Sequence, residues 1–108
     1  MTNPNRLTRE QILARKTGRG VATLPDGSTV AIRAMTRDEV ITMQQMEYPA
    51  DRDNFIIATG MTDPKLSVED VAAWAAGGDA GDLVAVSEEI AWLSGLKQGA
   101  GKRDVAAA

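Results

Sequence analysis

Two short stretches of this sequence carry residue types that can do chemistry, and neither completes its motif. Gly99-Ala-Gly101-Lys102 has the glycines and the cation of a phosphate-binding loop. Such a loop also needs a glycine five positions before its second glycine, so that backbone amides can curl around phosphate, and a hydroxyl after the lysine to reach magnesium. Leu96 and Arg103 hold those places. Asp51-Arg-Asp53-Asn54 begins like a calcium loop, whose alternating oxygens converge on one ion. The glycine required at its sixth position is Ile56, and the bidentate glutamate at its twelfth is Thr62. Carboxylates at the start of a helix, where backbone amides point outward, account for these aspartates better.

The wider inventory is equally spare. The chain has no histidine and no cysteine, which removes the commonest general base near neutral pH, the commonest metal ligand, the thiol nucleophile and any disulfide framework. No Gly-x-Ser-x-Gly turn occurs, and no carboxylate pair stands apart from helix caps and surface. The expectation is a protein that is not an enzyme, holds no metal or cofactor and takes no small-molecule substrate.

Net charge is −3, unevenly placed. Residues 1–40 hold seven basic and four acidic side chains, a balance of +3, and residues 41–108 hold five and eleven, a balance of −6. A bipolar molecule can associate head to tail, so a homo-oligomer is one expectation, and chance asymmetry of a solvated surface is the plainer reading. The cations of the first third are split over a helix, a hairpin and a loop, which argues against one phosphate-binding face and hence against a nucleic-acid partner. Apolar runs fall far short of the ~20 residues that span a bilayer, and Met1–Arg6 is polar, without the apolar core of a secretory signal. No membrane partner and a cytoplasmic location are expected.

Stepping to the elements, 108 residues allow one core. Apolar residues make up 44% of the chain, but only four residues are aromatic and alanine is abundant, so that core is thin. Thr8-Arg-Glu-Gln11 has the form of a capping box, opening a helix to about Lys16. Gly20–Leu24 and Ser28–Arg33 read as strands around Pro25-Asp26-Gly27, where proline presets φ, aspartate bonds back to the chain and glycine accepts positive φ. A second box, Thr36-Arg-Asp-Glu39, starts a helix with Val40, Met43 and Met46 on one face, ending before Tyr48-Pro49. Phe55-Ile56-Ile57-Ala58 suits a short buried helix running to Gly60, and Met61–Lys65 reads as a turn. Ser67-Val-Glu-Asp70 opens a helix with a Val68, Val71, Ala72, Ala75 stripe, closed by Gly77-Gly78. Asp79 or Asp82 caps a last helix in which Leu83, Val86, Ile90 and Leu93 recur at 3, 4 and 3 residues, stopped by Ser94-Gly95.

The fold expected is therefore α+β and mostly helical: a short N-terminal helix, one β-hairpin, then a bundle of three to four short helices. The domain covers residues 7–96, with the hairpin at about 20–33 and the helices at about 36–94, between a flexible stretch at 1–6 and a flexible tail at 97–108.

Four residues are candidates for partner binding. Trp74 lies at the edge of its helix stripe, where packing competes with binding. Trp92 sits roughly 140° from the centre of the Leu83/Val86/Ile90/Leu93 stripe at 100° per residue, so a helix packed on one side exposes it, unless the hairpin or the tail covers it. Met43 and Met46 are flexible, polarisable side chains suited to adaptable contact as well as to the core.

The ordered set Gly60-Met-Thr-Asp-Pro-Lys-Leu-Ser67, Val71-Ala-Ala-Trp74, Ala80-Gly-Asp-Leu83 and Leu93-Ser-Gly-Leu96, preceded by the Leu24-Pro-Asp-Gly27 hairpin and the Thr36-Arg37 helix start, resembles the tail assembly chaperones of bacteriophages with long non-contractile tails. The likeness covers most of residues 7–102, and each piece taken singly is ordinary turn or cap chemistry. It implies a helper that binds the tape measure protein, keeps it soluble and guides tail tube subunits onto it in the infected host's cytoplasm, and that is absent from the mature virion. Such chaperones are often made in two forms, the longer by programmed ribosomal frameshift, and that extension recruits the tail tube protein. The chain departs from the pattern in ending Arg103-Asp-Val-Ala-Ala-Ala108 rather than in a fuller terminal helix. Two other readings stand beside it: a minor structural virion protein, such as a head–tail connector or tube-end component, and a small DNA-binding regulator.

Overall fold

A computed structural model describes residues 6–96. The expected flexible tail at 97–108, with Gly99–Lys102, and all but Arg6 of the expected flexible stretch at 1–6 lie outside the described residues. The order is α1 (Arg9–Ala14), β1 (Arg19–Thr23), β2 (Thr29–Arg33), α2 (Arg37–Gln44), α3 (Pro49–Gly60), β3 (Met61–Asp63), α4 (Val68–Gly77) and α5 (Ala80–Leu93). The class is α+β, as expected from the pattern, with a three-stranded antiparallel sheet in the order β1-β2-β3.

Three of the helices start on reciprocal capping boxes. Thr8 Oγ1 accepts from the Gln11 amide at 3.1 Å while the Thr8 amide donates to Gln11 Oε1 at 2.8 Å. Thr36 with Glu39 and Ser67 with Asp70 repeat the arrangement, the shorter aspartate included. Each box satisfies two amides that the first turn of a helix leaves without an internal acceptor. α3 uses another device: Pro49 occupies its first turn, where an amide would have had no partner. Asp79 is the N-cap of α5 by position, without a side-chain capping bond.

The hairpin turn follows its sequence chemistry. The Gly27 amide donates to Leu24 O at 2.9 Å, the Ser28 amide donates to Asp26 Oδ1 at 2.9 Å, and Gly27 takes φ +90°. The same Ser28 amide holds the exposed Asp26 carboxyl below its ordinary pKa. Register then sets Ala22 opposite Val30 and Gly20 opposite Ile32. Ala22 and Ile32 are buried, and the exposed Thr23 and Thr29 face each other.

One expectation fails here. Met61–Asp63, read as part of a turn, is the third strand, pairing Met61 with Ile32 and Asp63 with Ala31 across an irregularity between Ala31 and Ile32. Aspartate and proline carry turn chemistry, and three residues are too few to show alternation. What makes the strand is tertiary: Met61 is 1% exposed and fills the space beside Ile32.

α3 is the hub of the packing. α2, α4, α5 and β3 all touch it, and α5 also covers β1 and β2. The core comprises Ile32, Ile57, Met61, Val71, Val86 and Ile90, all essentially without solvent exposure, with smaller buried neighbours such as Ala22 and Ala58. Gly60 permits the closest approach. A Cβ there would lie 2.5 Å from Ile90 Cγ2, so α3 and α5 meet backbone to side chain at that point. Gly60 therefore does more than end a helix.

The α5 stripe is seated as expected, Val86 and Ile90 buried with Leu83 and Leu93 half-buried, and Gly95 at φ +77° closes the helix. The α4 stripe is not. Only Val71 is buried, while Val68, Ala72 and Ala75 are exposed. α4 packs chiefly on α3, so a single line of contact, continued by the half-buried Trp74, covers it.

Candidate functional site

Three links fix the frame around which any surface site is built. Arg33, closing β2, sends both guanidinium nitrogens to Glu39 in the first turn of α2, at 2.9 and 2.8 Å, and Nη1 also donates to Ala34 O. The Arg33 guanidinium holds the Glu39 carboxyl down to a pKa of about 2, helped by the Thr36 amide. Ser94 Oγ, at the end of α5, accepts from the Met35 amide at 2.8 Å and donates to Ile90 O at 2.7 Å, tying α5 to the β2–α2 connection. Lys65 Nζ donates to Ala58 O at 2.6 Å, a cation at the carbonyl end of α3.

Three of the four sequence candidates sit on α2, α4 and α5, each of which packs on α3, and Met46 follows α2. Trp74 is half-buried, with its ring against Gly78, where a Cβ would lie 2.6 Å from Cδ1. Trp92 is half-buried and its indole Nε1 is covered. Helical angle alone exposes it, but α5 is packed on two sides, by α3 and by the hairpin, so a residue far from the main stripe still finds cover. Met43 is half-buried against the core. Met46, two residues beyond α2, is half-buried, and its carbonyl accepts from Arg52 Nε at 2.7 Å.

Of these, Met43 and Met46 border a surface that presents apolar side chains. Flanking them in the chain, Ile41 is 38% and Tyr48 62% exposed. The α2–α3 corner, residues 41–48, thus offers an aliphatic and an aromatic group to solvent while its two methionines are half-buried.

A second surface escaped the sequence reading. Between α3 and α5 run two adjoining depressions of about 250 and 220 Å³ that share Asp53, Val84 and Ser87. The first is backed by Ile57 and Leu83 and the second by Ile56 and Ala91, and Glu88 stands at the second. Together they form one open groove, apolar in its first part and mixed in its second, with carboxylates at its margin. Its signal was present on α5 as Ala80, Val84, Ser87 and Ala91, at spacings of 4, 3 and 4, a stripe of small residues beside the large one.

Among the described residues, no group of three or more Asp or Glu could hold a metal ion, and no helix is long and apolar enough to cross a membrane. Compared with protein-family models, with curated proteins and with solved structures, the chain matches none.

Proposed function

We propose that this chain is a tail assembly chaperone of a long-tailed bacteriophage, acting in the cytoplasm of the infected host by binding the tape measure protein rather than by catalysis. The observation that carries the reading is the α2–α3 corner, where Ile41 and Tyr48 are exposed on either side of the half-buried Met43 and Met46 in the chain. A tape measure protein is a very long helical chain whose apolar stripes are uncovered until the tail tube closes around it. Methionine adapts its shape to varied helical faces, and tyrosine supplies area with few rotatable bonds. The resemblance of the ordered turn and cap motifs, from Leu24-Pro-Asp-Gly27 to Leu93-Ser-Gly-Leu96, to those of such chaperones is the second support. Recruitment of tail tube protein through a longer, frameshifted form belongs to the same reading.

Co-expression with the long helical tail protein encoded by the same genome tests it. The chain should keep that protein in the soluble fraction and co-purify with it, and Ile41→Ser with Tyr48→Ser should abolish both while leaving the melting curve intact. Recovery of the chain in purified particles would instead make it a minor virion component. Failure to bind the tail protein at all would end the chaperone reading.

A further inference from the structure

α1 makes no extensive contact with another element among the described residues. It has six residues, none buried, and its apolar side chains Ile12 and Leu13 are 55% and 67% exposed. A helix of that length is marginal in water even in favourable sequences, because nucleation costs more than one turn of bonds returns. The Thr8–Gln11 box holds its start, but its apolar side chains stay more than half exposed. Arg9 stands three and four residues before Ile12 and Leu13 on the helix, and Arg15 and Lys16 follow directly after its end.

The α3–α5 groove has the complementary make-up. Val84, 50% exposed, and the half-buried Leu83 give it an apolar centre, and Asp53 lines both of its depressions. The match extends beyond these residues: α3 and α5 together hold five carboxylates and one arginine, whereas residues 6–19 hold five cations and one glutamate.

We propose that α1 of one copy docks in the α3–α5 groove of a second copy, with Ile12 and Leu13 against Val84 and Leu83 and with Arg9 beside Asp53. The contact is heterologous: each copy keeps one free α1 and one free groove, so association continues head to tail unless the rotation happens to close a ring. Two turns of helix cover much less than the ~1,200 Å² of a stable interface, so association is weak and shows itself at about 0.1–1 mM. The inference concerns the chain by itself and stands apart from the identity of any phage partner.

The absence of native cysteine gives a clean test. A Leu13→Cys chain is mixed with a Val84→Cys chain under mild oxidation, each also being oxidised alone. The expected result is a mixed disulfide forming at least about tenfold faster than either homodimer. Equal rates in all three samples would overturn the proposal, and so would preferential Val84–Val84 cross-linking, which would report groove against groove. Sedimentation of the unmodified chain supplies the second measurement. Average mass should rise with concentration, fall as salt screens the charges over a Debye length of ~10 Å at 0.1 M, and fall about tenfold in association constant for Asp53→Lys. A monomer up to about 1 mM, or association indifferent to salt and to Asp53→Lys, would exclude the docking. Melting of Asp53→Lys at the wild-type temperature separates lost docking from lost fold.

Discussion

α1 and α5 both place apolar residues among charged ones, yet one is buried and the other is bare. α5 lies between α3 and the hairpin, with Val86 and Ile90 fully enclosed. α1 has the better N-cap, a complete box where Asp79 makes no side-chain bond, and buries nothing. Local signals thus decide where a helix begins, while packing decides what it contributes to stability. Capping is worth about 1 kcal/mol and burying one aliphatic side chain about 1.5–3 kcal/mol, so a well-capped helix without a covered face remains an appendage.

The contrast is sharpest in its largest expected effect. Ile90→Ala should destabilise the fold by about 2–5 kcal/mol, because the site is closed by Gly60, Val86 and neighbouring core residues and cannot collapse fully. Chemical denaturation measures it. A cost under about 1 kcal/mol would mean that α5 is held no better than α1.

Gly60→Ala probes the same contact from α3. A helix ordinarily gains up to ~1 kcal/mol from this exchange. Here the new methyl group would fall 2.5 Å from Ile90 Cγ2, and Ile90 has no space to retreat into. Overpacking of about 1–3 kcal/mol outweighs the gain, so the net change is destabilising. A stabilised variant would show that α3 and α5 are less closely seated than their side chains indicate.

Much of this was legible in the sequence, and what was not has particular causes. The three capping boxes, the Pro25-Asp26-Gly27 turn and the Leu83/Val86/Ile90/Leu93 stripe rest on bonds or periods within a few residues, and each appears as read. β3 depends on Met61 meeting Ile32 from far along the chain, and its own residues say turn. The Val68/Ala72/Ala75 side of α4 is exposed because α4 rests mainly on a single neighbour, a fact of tertiary arrangement. For the candidate site, the methionines were picked out by type. Ile41 and Tyr48 were passed over because exposure of a lone apolar residue carries no periodic mark. The α3–α5 groove was missed since its small residues, read alone, look like filler beside a stronger stripe.

A third, smaller effect joins the hairpin to the helical part. Glu39 has its pKa lowered from 4.5 to about 2, chiefly by the hydrogen bonds from Arg33. A carboxyl with a depressed folded-state pKa stabilises the fold fully above its unfolded value and loses that contribution as pH falls through the folded one. The window therefore runs from about pH 4.5 down to about pH 2. With both side chains roughly a quarter exposed, solvent reduces the gain to about 1–2 kcal/mol. Glu39→Gln should lower stability by that amount at pH 7 and by much less at pH 2. An undiminished difference at the acid end would assign its cost to the lost cap geometry rather than to charge.

The smallest stability effect is expected at α1, and its smallness is the point. Leu13→Ser removes an apolar group that is 67% exposed, so the unfolding free energy should stay within about 0.5 kcal/mol of the wild type at low micromolar concentration. Hydrogen exchange should show the α1 amides opening at a small fraction of the global free energy, whereas those of α5 open only with the whole fold. The two measurements separate ways of being wrong. A loss above 1 kcal/mol in the dilute monomer would mean that α1 packs on its own chain. Slow exchange of α1 in the dilute monomer would say the same. Protection that appears only at high concentration would mean that α1 acquires its missing partner from another molecule, and it should vanish in Leu13→Ser.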